Sequence, residues 1–265
     1  MKKGMEYETH VEDPEFAKKV LESFDRPKSY QKTKAMTKRE KISEKYGYKE
    51  ADIFFWLAEH CEIRPERILD LGCGEGCLAG LLHKSYPWAR VLGLDINYES
   101  LGMGIKAGYF EKGCAIHADL YHLERGAERA RLKNGIKAKD FHDIRFTDVE
   151  LEPSDEKLTD FDLVTCLDAG PDPISLEELG DEHKPYVPIS AAGGFVKSGG
   201  WLVYAIPESN IWRQNVSKKE LEADMAELKK SAEAAGFETT DCRLIGPSGH
   251  EQDIALLCRK PTQNI

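Results

Sequence analysis

The sequence lacks long hydrophobic runs. No stretch of about 18 consecutive apolar residues occurs in its 265 residues, and a stretch of that length is what a membrane-spanning helix requires. The first residues, Met-Lys-Lys-Gly-Met, are not followed by the apolar segment of a secretory signal. We therefore expect a soluble protein of the cytoplasm or the nucleus.

The sequence is also short of basic residues and of paired cysteines. Its 47 acidic residues outnumber its 37 lysines and arginines, and the resulting net charge of −10 argues against a broad nucleic-acid-binding surface. The seven cysteines form no Cys-x-x-Cys pair, so we expect reduced, buried thiols. The spacing of His117, His122 and His142 matches no standard ligand motif, and we expect no metal site.

Three alternating glycines follow an apolar segment that contains an acid. The segment Ile-Leu-Asp-Leu-Gly-Cys-Gly-Glu-Gly places Gly72, Gly74 and Gly76 directly after a predicted strand that includes Asp70. Glycine has no Cβ, so the backbone can turn tightly and a ligand can approach its N–H groups. A second predicted strand ends at Asp95, where folds of this kind bind a ribose hydroxyl pair. The pattern predicts a site for a nucleotide-like ligand.

This segment fits two kinds of nucleotide-binding loop. The run from Gly74 to Ala79 satisfies the G-x-G-x-x-G/A fingerprint of dinucleotide-binding folds. The longer pattern D-x-G-x-G-x-G, which begins at Asp70, resembles motif I of the class I S-adenosylmethionine-dependent methyltransferases, and the resemblance extends over residues 51–260. We favour the second interpretation.

The resemblance implies a fold, a cofactor and a set of site residues. The fold is α/β, with a seven-stranded, mostly parallel Rossmann-like sheet whose last strand is antiparallel and whose two faces carry helices. The cofactor is S-adenosylmethionine, and the acid at position 70 holds either the loop or the amino group of its methionine moiety. The residues implied to contact the cofactor are Asp70, Gly72, Cys73, Gly74, Gly76, Asp95, Ile96 and Leu167.

Two acids compete for the contact with the adenine amino group that the resemblance implies at the end of the third strand. Asp119 ends one predicted strand and is our first choice. Asp148 ends a second plausible strand, residues 143–149, beyond a charged segment at 124–139 that we predict to be helical. With Asp119 the chain carries an insertion near residues 120–157, and with Asp148 residues 98–122 become the insertion.

The fourth predicted strand, residues 160–168, leads into a segment that cannot continue a strand. The segment Asp-Ala-Gly-Pro-Asp-Pro contains two prolines, which lack a backbone donor. The resemblance implies that this strand ends opposite the transferred methyl group. Asp168, Asp172 and His183 are therefore candidates for a base that takes a proton from the acceptor. We expect an insertion near residues 169–190 to cover the pocket.

We expect two regions in the chain. Residues 1–48 form a charged, helical N-terminal extension, either a solvated arm or a lid, and residues 49–265 form the S-adenosylmethionine-binding domain. Gly199 and Gly200 are expected to supply a left-handed helix cap and a turn before the fifth strand. The sequence further predicts helices over residues 49–61, 77–86, 98–110 and 217–235, and the resemblance implies strands over 201–207, 238–244 and 254–259.

The expected activity is in-line methyl transfer to a small polar molecule. The donor is already activated, so alignment can supply much of the rate and few catalytic residues are needed. One alternative is an RNA or protein methyltransferase, for which the Lys/Arg-rich residues 27–45 would be the docking element. The others are a nicotinamide-dependent oxidoreductase and a non-catalytic nucleotide-binding module.

Overall fold

The computed structural model describes residues 38–60, 62–111, 113–118, 130–132, 151–153, 158–167, 188–207, 218–246 and 253–262. The helices in these ranges are α1 (Lys38–Tyr46), α2 (Tyr48–Glu59), α3 (Cys77–Ser85), α4 (Tyr98–Ala107), α5 (Ile189–Gly193) and α6 (Lys218–Ala234). The strands are β1 (Arg67–Leu71), β2 (Arg90–Asp95), β3 (Ala115–His117), β4 (Ala130–Leu132), β5 (Leu151–Pro153), β6 (Phe161–Leu167), β7 (Val196–Pro207), β8 (Glu238–Ile245) and β9 (Asp253–Arg259). Within the described ranges, no helix has the length and apolar character needed to span a bilayer.

All nine strands belong to one sheet with the order β5-β4-β3-β2-β1-β6-β7-β9-β8. Strands β3, β2, β1, β6 and β7 are parallel neighbours. Strand β9 is antiparallel to both β7 and β8, so β8 runs in the same direction as β7. The predicted arrangement of six parallel strands and one antiparallel last strand is confirmed.

Two short strands extend this arrangement beyond β3. Strand β4 pairs antiparallel with β3 through Ile116 and Arg131, and β5 pairs antiparallel with β4. The prediction of a helix over residues 124–139 is therefore wrong for residues 130–132. These residues pair with the open edge of β3, and such a tertiary partner overrides local helix propensity.

The sheet is covered on both faces because alternate residues of each strand point to opposite sides. Helices α2, α3 and α4 pack on one face, where Ile68 of β1 lies among buried side chains such as Trp56 and Leu82. Helices α5 and α6 pack on the other face, where Leu69 lies among buried side chains such as Leu228. A strand buried on both faces is apolar along its whole length, which explains the continuous apolar runs in the sequence.

The ring of Phe110 fills a space at the centre of the α3–α4 layer. Three glycines surround it, and a Cβ on any of them would collide with the ring: Gly76 before α3, Gly93 in β2 and Gly104 in α4. A Cβ on Gly104 would also collide with the carbonyl oxygen of Glu75. Helix, strand and loop can approach one another closely here because none of the three positions carries a side chain.

Helix α1 packs against the rest of the domain. Ile42 and Tyr46 are buried against Phe54 of α2 and Leu81 of α3. Lys84 Nζ donates a hydrogen bond of 2.7 Å to the Tyr46 hydroxyl. The expectation of a solvated arm therefore does not hold for this helix. The spacing of Ile42 and Tyr46, four residues apart, places both on one face and is the sequence signal for this packing. Residues 1–37 lie outside the described residues, and the lid remains a prediction.

The pair Gly199-Gly200 does not form the predicted helix cap. Helix α5 ends earlier, at Gly193, and Gly199 has a φ of 76° within β7. The Gly199 N–H donates to the Lys260 carbonyl, and the Lys260 N–H donates to the Gly200 carbonyl, both at 2.9 Å. The pairing register between β6 and β7 shifts at this point, so the left-handed glycine belongs to an irregularity of the strand.

We predict that Phe110→Ala will lower the free energy of unfolding by about 3–5 kcal/mol, because it leaves a cavity that three backbone segments enclose. Phe110→Leu fills part of the cavity and should cost less. Urea denaturation monitored by circular dichroism measures both changes. Tyr48→Ala, at a ring that is 54% exposed, is the control and should change stability by less than about 0.5 kcal/mol. An unchanged midpoint for Phe110→Ala would contradict the packing role of the ring.

Candidate functional site

The three alternating glycines lie at the carboxyl ends of β1 and β2, and all three have left-handed backbone conformations. Their φ angles are 66° at Gly72, 52° at Gly74 and 79° at Gly76. Residues with a Cβ rarely adopt such angles. The tight turn expected from the glycine spacing is present, and α3 begins directly after it.

Hydrogen bonds tie this loop to β2. The N–H groups of Gly72 and Cys73 donate to the Leu94 carbonyl at 2.8 and 3.2 Å, and the Gly74 N–H donates to Asp95 Oδ2 at 2.8 Å. A Cβ built on Gly74 would have no heavy atom of the described residues within 4 Å. A ligand can therefore approach the loop backbone at Gly74.

Both carboxylate oxygens of Asp95 accept backbone hydrogen bonds. Oδ2 accepts from Gly74, and Oδ1 accepts from the N–H of Asn97 at 2.7 Å. The Asn97 side chain in turn caps α4 by accepting from the N–H groups of Glu99 and Ser100. Each carboxylate oxygen can accept a second hydrogen bond. Asp95 can therefore bind the hydroxyls of a ligand while it also holds the glycine loop.

Asp70 is the buried acid of the site. Its Oδ1 accepts a hydrogen bond of 2.7 Å from the Thr165 hydroxyl, and its buried Oδ2 has no hydrogen-bond partner among the described residues. Burial raises the pKa of this carboxyl to about 7, against the lowering effect of Thr165. The negative charges of Glu50 and Asp95 contribute to this raised value. A cationic or donor group of a ligand would satisfy the free oxygen.

Sequence reasoning missed two residues that act on this acid. Thr165 is a polar residue inside the apolar run of β6, and that position was a signal that could have identified it. Glu50 lies in the first turn of α2, about twenty residues before Asp70 in the sequence. Only the tertiary structure brings its charge close to Asp70, so local patterns could not identify it.

Two polar contacts hold the first turn of α2 to the far end of the sheet. Lys49 Nζ forms an ion pair of 2.7 Å with the buried carboxylate of Asp253, the first residue of β9. Asp52 Oδ2 accepts the N–H of Gly246, the residue after β8, at 2.8 Å. These contacts fix the helix that carries Glu50 next to the glycine loop.

The two cysteines of the loop are not activated thiols. Burial raises the pKa of Cys73 well above its usual value, and burial together with the charge of Glu50 raises that of Cys77 to about 11. A thiol with a raised pKa is a poor nucleophile at neutral pH. Cys73 therefore contributes its backbone and its volume to the site.

The remaining described members of the predicted cofactor set lie at the same sheet edge. Ile96 directly follows β2 and is 59% exposed, and Leu167 is the half-buried last residue of β6. His117 hydrogen-bonds to the Ile96 carbonyl. Across the part of the chain that the structure describes, no group of three His, Cys, Asp or Glu side chains is placed to hold a metal ion.

Several predicted site residues lie outside the described residues. They are Asp119, Asp148, Asp168, Asp172 and His183; His122 and His142, for which no metal site is expected, also lie outside them. The structure does show that the third parallel strand is β3, whose residues 115–117 pair with β2. Asp119 follows this strand by two residues in the sequence, whereas Asp148 precedes β5. The contact of either acid with adenine remains a prediction.

The chain is similar in sequence to curated O-methyltransferases, although no family model matches it. It is 25% identical over 157 residues to the ubiquinone biosynthesis O-methyltransferase of Paraburkholderia phymatum, and 29% identical over 161 residues to that of Burkholderia vietnamiensis. Each alignment covers 59% of this chain and 50% of the relative. The match thus spans about half the length of these relatives. It confirms the resemblance to methyltransferases that residues 70–76 predict.

Two solved structures resemble the chain, and the first is named as a methyltransferase. Magnesium protoporphyrin IX methyltransferase from Synechocystis PCC 6803 with bound SAM aligns over 86% of each chain, with a TM-score of 0.46 and 14% identity. TrmN from Thermus thermophilus aligns over 86% of this chain and 54% of its own, with a TM-score of 0.49 and 15% identity. Similarities this distant do not identify an acceptor.

We predict that glycine-to-alanine substitutions at positions 74 and 76 of the loop will differ in their effects on stability. Gly74→Ala places a methyl group where the described residues leave open space, so it should cost only about 1–2 kcal/mol for the left-handed backbone. It should nevertheless weaken the binding of a ligand that approaches the loop. Gly76→Ala drives a methyl group into the Phe110 ring and should destabilise the fold more strongly. Thermal unfolding and calorimetric titration of both variants measure these changes, and equal destabilisation would contradict the difference in space.

The raised pKa of Asp70 predicts the sign of a pH effect. Because the native state retains this proton up to about pH 7, the stability of the wild-type protein relative to Asp70→Asn should fall as the pH rises from about 4 to 7. The expected change is about 2–4 kcal/mol. Denaturation curves of both proteins at several pH values measure it. A constant difference across this window would show that Asp70 is not buried as an acid.

Asp162 provides the control for this measurement. Partial burial opposes its ionisation, but hydrogen bonds from Lys197 and from the N–H groups of Arg67 and Glu66 outweigh burial and lower its pKa. The stability that the Asp162 carboxylate contributes should persist above about pH 4 and be lost below it. The difference between wild type and Asp162→Asn should therefore be nearly constant from pH 4 to 7.

Proposed function

We propose that the protein is an S-adenosylmethionine-dependent methyltransferase that acts on a small polar molecule. The observation that carries this proposal is the loop of three left-handed glycines, which is hydrogen-bonded to Asp95 and lies next to the buried acid Asp70. In an open α/β sheet, ligands bind outside the carboxyl ends of the strands, which is where this loop lies.

Described residues would contact two parts of S-adenosylmethionine, its ribose and its methionine moiety. The open space at Gly74 lets the ligand approach the backbone, and Asp95 has acceptor capacity left for the two ribose hydroxyls. Asp70 Oδ2, which has no hydrogen-bond partner among the described residues, suits the ammonium group of the methionine moiety. Asp119 is our choice for the adenine amino group, because it follows the strand that pairs with β2.

The chemistry requires alignment more than it requires strong acids or bases. When bound, S-adenosylmethionine supplies a methyl group that is activated by the positive charge on sulfur. The protein must place the acceptor atom in line with that group and exclude water. If the acceptor carries a proton, Asp168, Asp172 and His183 are the proposed candidates to remove it. The names of the curated relatives support an oxygen atom as the acceptor.

The net charge of the chain supports a small acceptor in preference to a nucleic acid. A surplus of ten negative charges disfavours the phosphate contacts that give nucleic-acid-binding proteins most of their affinity. RNA and protein acceptors are the alternatives, and a screen of substrates for methylation would detect them. The dinucleotide fingerprint at Gly74 makes nicotinamide cofactors the necessary comparison in any binding experiment.

Calorimetric titration tests the proposal. The wild-type protein should bind S-adenosylmethionine and S-adenosylhomocysteine, and it should not bind NAD or NADH. Asp95→Ala leaves ribose hydroxyls and loop N–H groups unpaired, which costs about 1–3 kcal/mol, or roughly ten- to a hundredfold in affinity. Glu99→Ala removes an exposed acid four residues away and is the charge-matched control. Binding of NAD alone, or unchanged affinity in a folded Asp95→Ala protein, would overturn the proposal.

A further inference from the structure

His117 lies at the same sheet edge as the glycine loop but belongs to none of the groups discussed for the proposed function. It is the last residue of β3 and is in register with Asp95 of β2. Its Nε2 lies 2.8 Å from the carbonyl oxygen of Ile96. A carbonyl oxygen can only accept, so the Nε2 atom carries a hydrogen and donates it.

The bond from His117 completes a clamp on one peptide unit. The carbonyl of Ile96 and the N–H of Asn97 belong to the same planar group. His117 donates to the oxygen of this group, and Asp95 Oδ1 accepts from its nitrogen at 2.7 Å. With both ends bonded, the peptide plane cannot rotate freely, and the backbone orientation that directs the Ile96 side chain is fixed.

The clamped residue is unusual among the described residues. Ile96 is 59% exposed, and Tyr48 and Trp88 are the other large apolar side chains with an exposed surface in the described ranges. Isoleucine is usually buried, so a fixed and exposed isoleucine beside Asp95 is a surface on which a flat apolar group can pack. The rings of Tyr98 and His117 lie edge to face, with 6.2 Å between their centroids.

The same chain of hydrogen bonds continues to the glycine loop. Asp95 Oδ1 accepts from Asn97, and Asp95 Oδ2 accepts from the Gly74 N–H at 2.8 Å. The Asp95 carboxylate therefore links the turn after β2 to the glycine loop, and the peptide unit between Ile96 and Asn97 links that turn to the end of β3. A change at the His117 end of this chain should alter the geometry of the site without opening the hydrophobic core.

We propose that His117 is a positioning residue that holds Ile96 as the packing surface for the adenosine part of the cofactor. The inference rests on the proposed function, since it names a further residue of that same site. His117 acts through the peptide unit between Ile96 and Asn97 and does not itself take part in the chemistry. Its role requires a donor at the position of Nε2, and either the neutral tautomer or the imidazolium supplies one.

Four variants test this role by calorimetric titration. The ligands are S-adenosylhomocysteine and 5′-methylthioadenosine, which lacks the amino-acid part. His117→Ala should weaken both about five- to tenfold, because one hydrogen bond that orients the site is lost. His117→Gln places an amide donor near the position of Nε2 and should restore most of the affinity. His117→Asn places its amide near the position of Nδ1 and should not restore the affinity. His83→Ala, on α3, is the control at a histidine outside the site.

Hydrogen exchange at the Asn97 amide tests the clamp without any ligand. The amide should exchange more slowly in the wild-type protein and in His117→Gln than in His117→Ala and His117→Asn, while the melting temperatures remain similar. Equal affinities and equal exchange in wild type and His117→Ala would overturn this inference alone. A wild-type protein that binds neither ligand would overturn the proposed function and, with it, the role of His117.

Discussion

The close approach of three backbone segments around one aromatic ring is the constraint on which the site depends. Phe110 packs against Gly76 of the loop, Gly93 of β2 and Gly104 of α4. The interior of a protein is packed as densely as an organic crystal, so the ring holds these segments at fixed separations. The loop conformation follows from this packing as well as from the positive φ angles of its glycines. A ligand therefore meets a loop that is already shaped, and little conformational entropy is lost when it binds.

The two acids of the site illustrate different uses of a carboxylate. Asp95 is bonded on both oxygens, and its interactions hold the loop, the turn and the start of α4 in place. Asp70 is buried with one oxygen unpartnered among the described residues, next to the negative charges of Glu50 and Asp95. Burying an acid in this way costs stability. Such a cost is typical of sites that are arranged for a ligand and not for the fold alone.

The sequence predicts those parts of this architecture that depend on local patterns. The glycine loop and Asp95 follow from spacing, and the strands follow from apolar runs bounded by turns, because both signals lie within a few residues. The role of Phe110 could not be predicted in this way, since the glycines that surround it are up to 34 residues away in the chain. Glu50 and strand β4 were missed for the same reason: their partners are distant. A helix cap and an irregularity in a strand both use a left-handed glycine, so the sequence alone does not distinguish them at Gly199.

The attachment of α2 to the end of the sheet has a consequence for synthesis. Asp52 bonds to Gly246 across 194 residues, and Trp56 donates to Asp241 across 185 residues. On the ribosome, α2 emerges long before β8 and β9, so these two hydrogen bonds cannot form while the glycine loop is being made. The polar attachment of α2 to the far end of the sheet therefore forms only after β8 has been made, whereas its apolar packing on β1 and α3 does not depend on that strand.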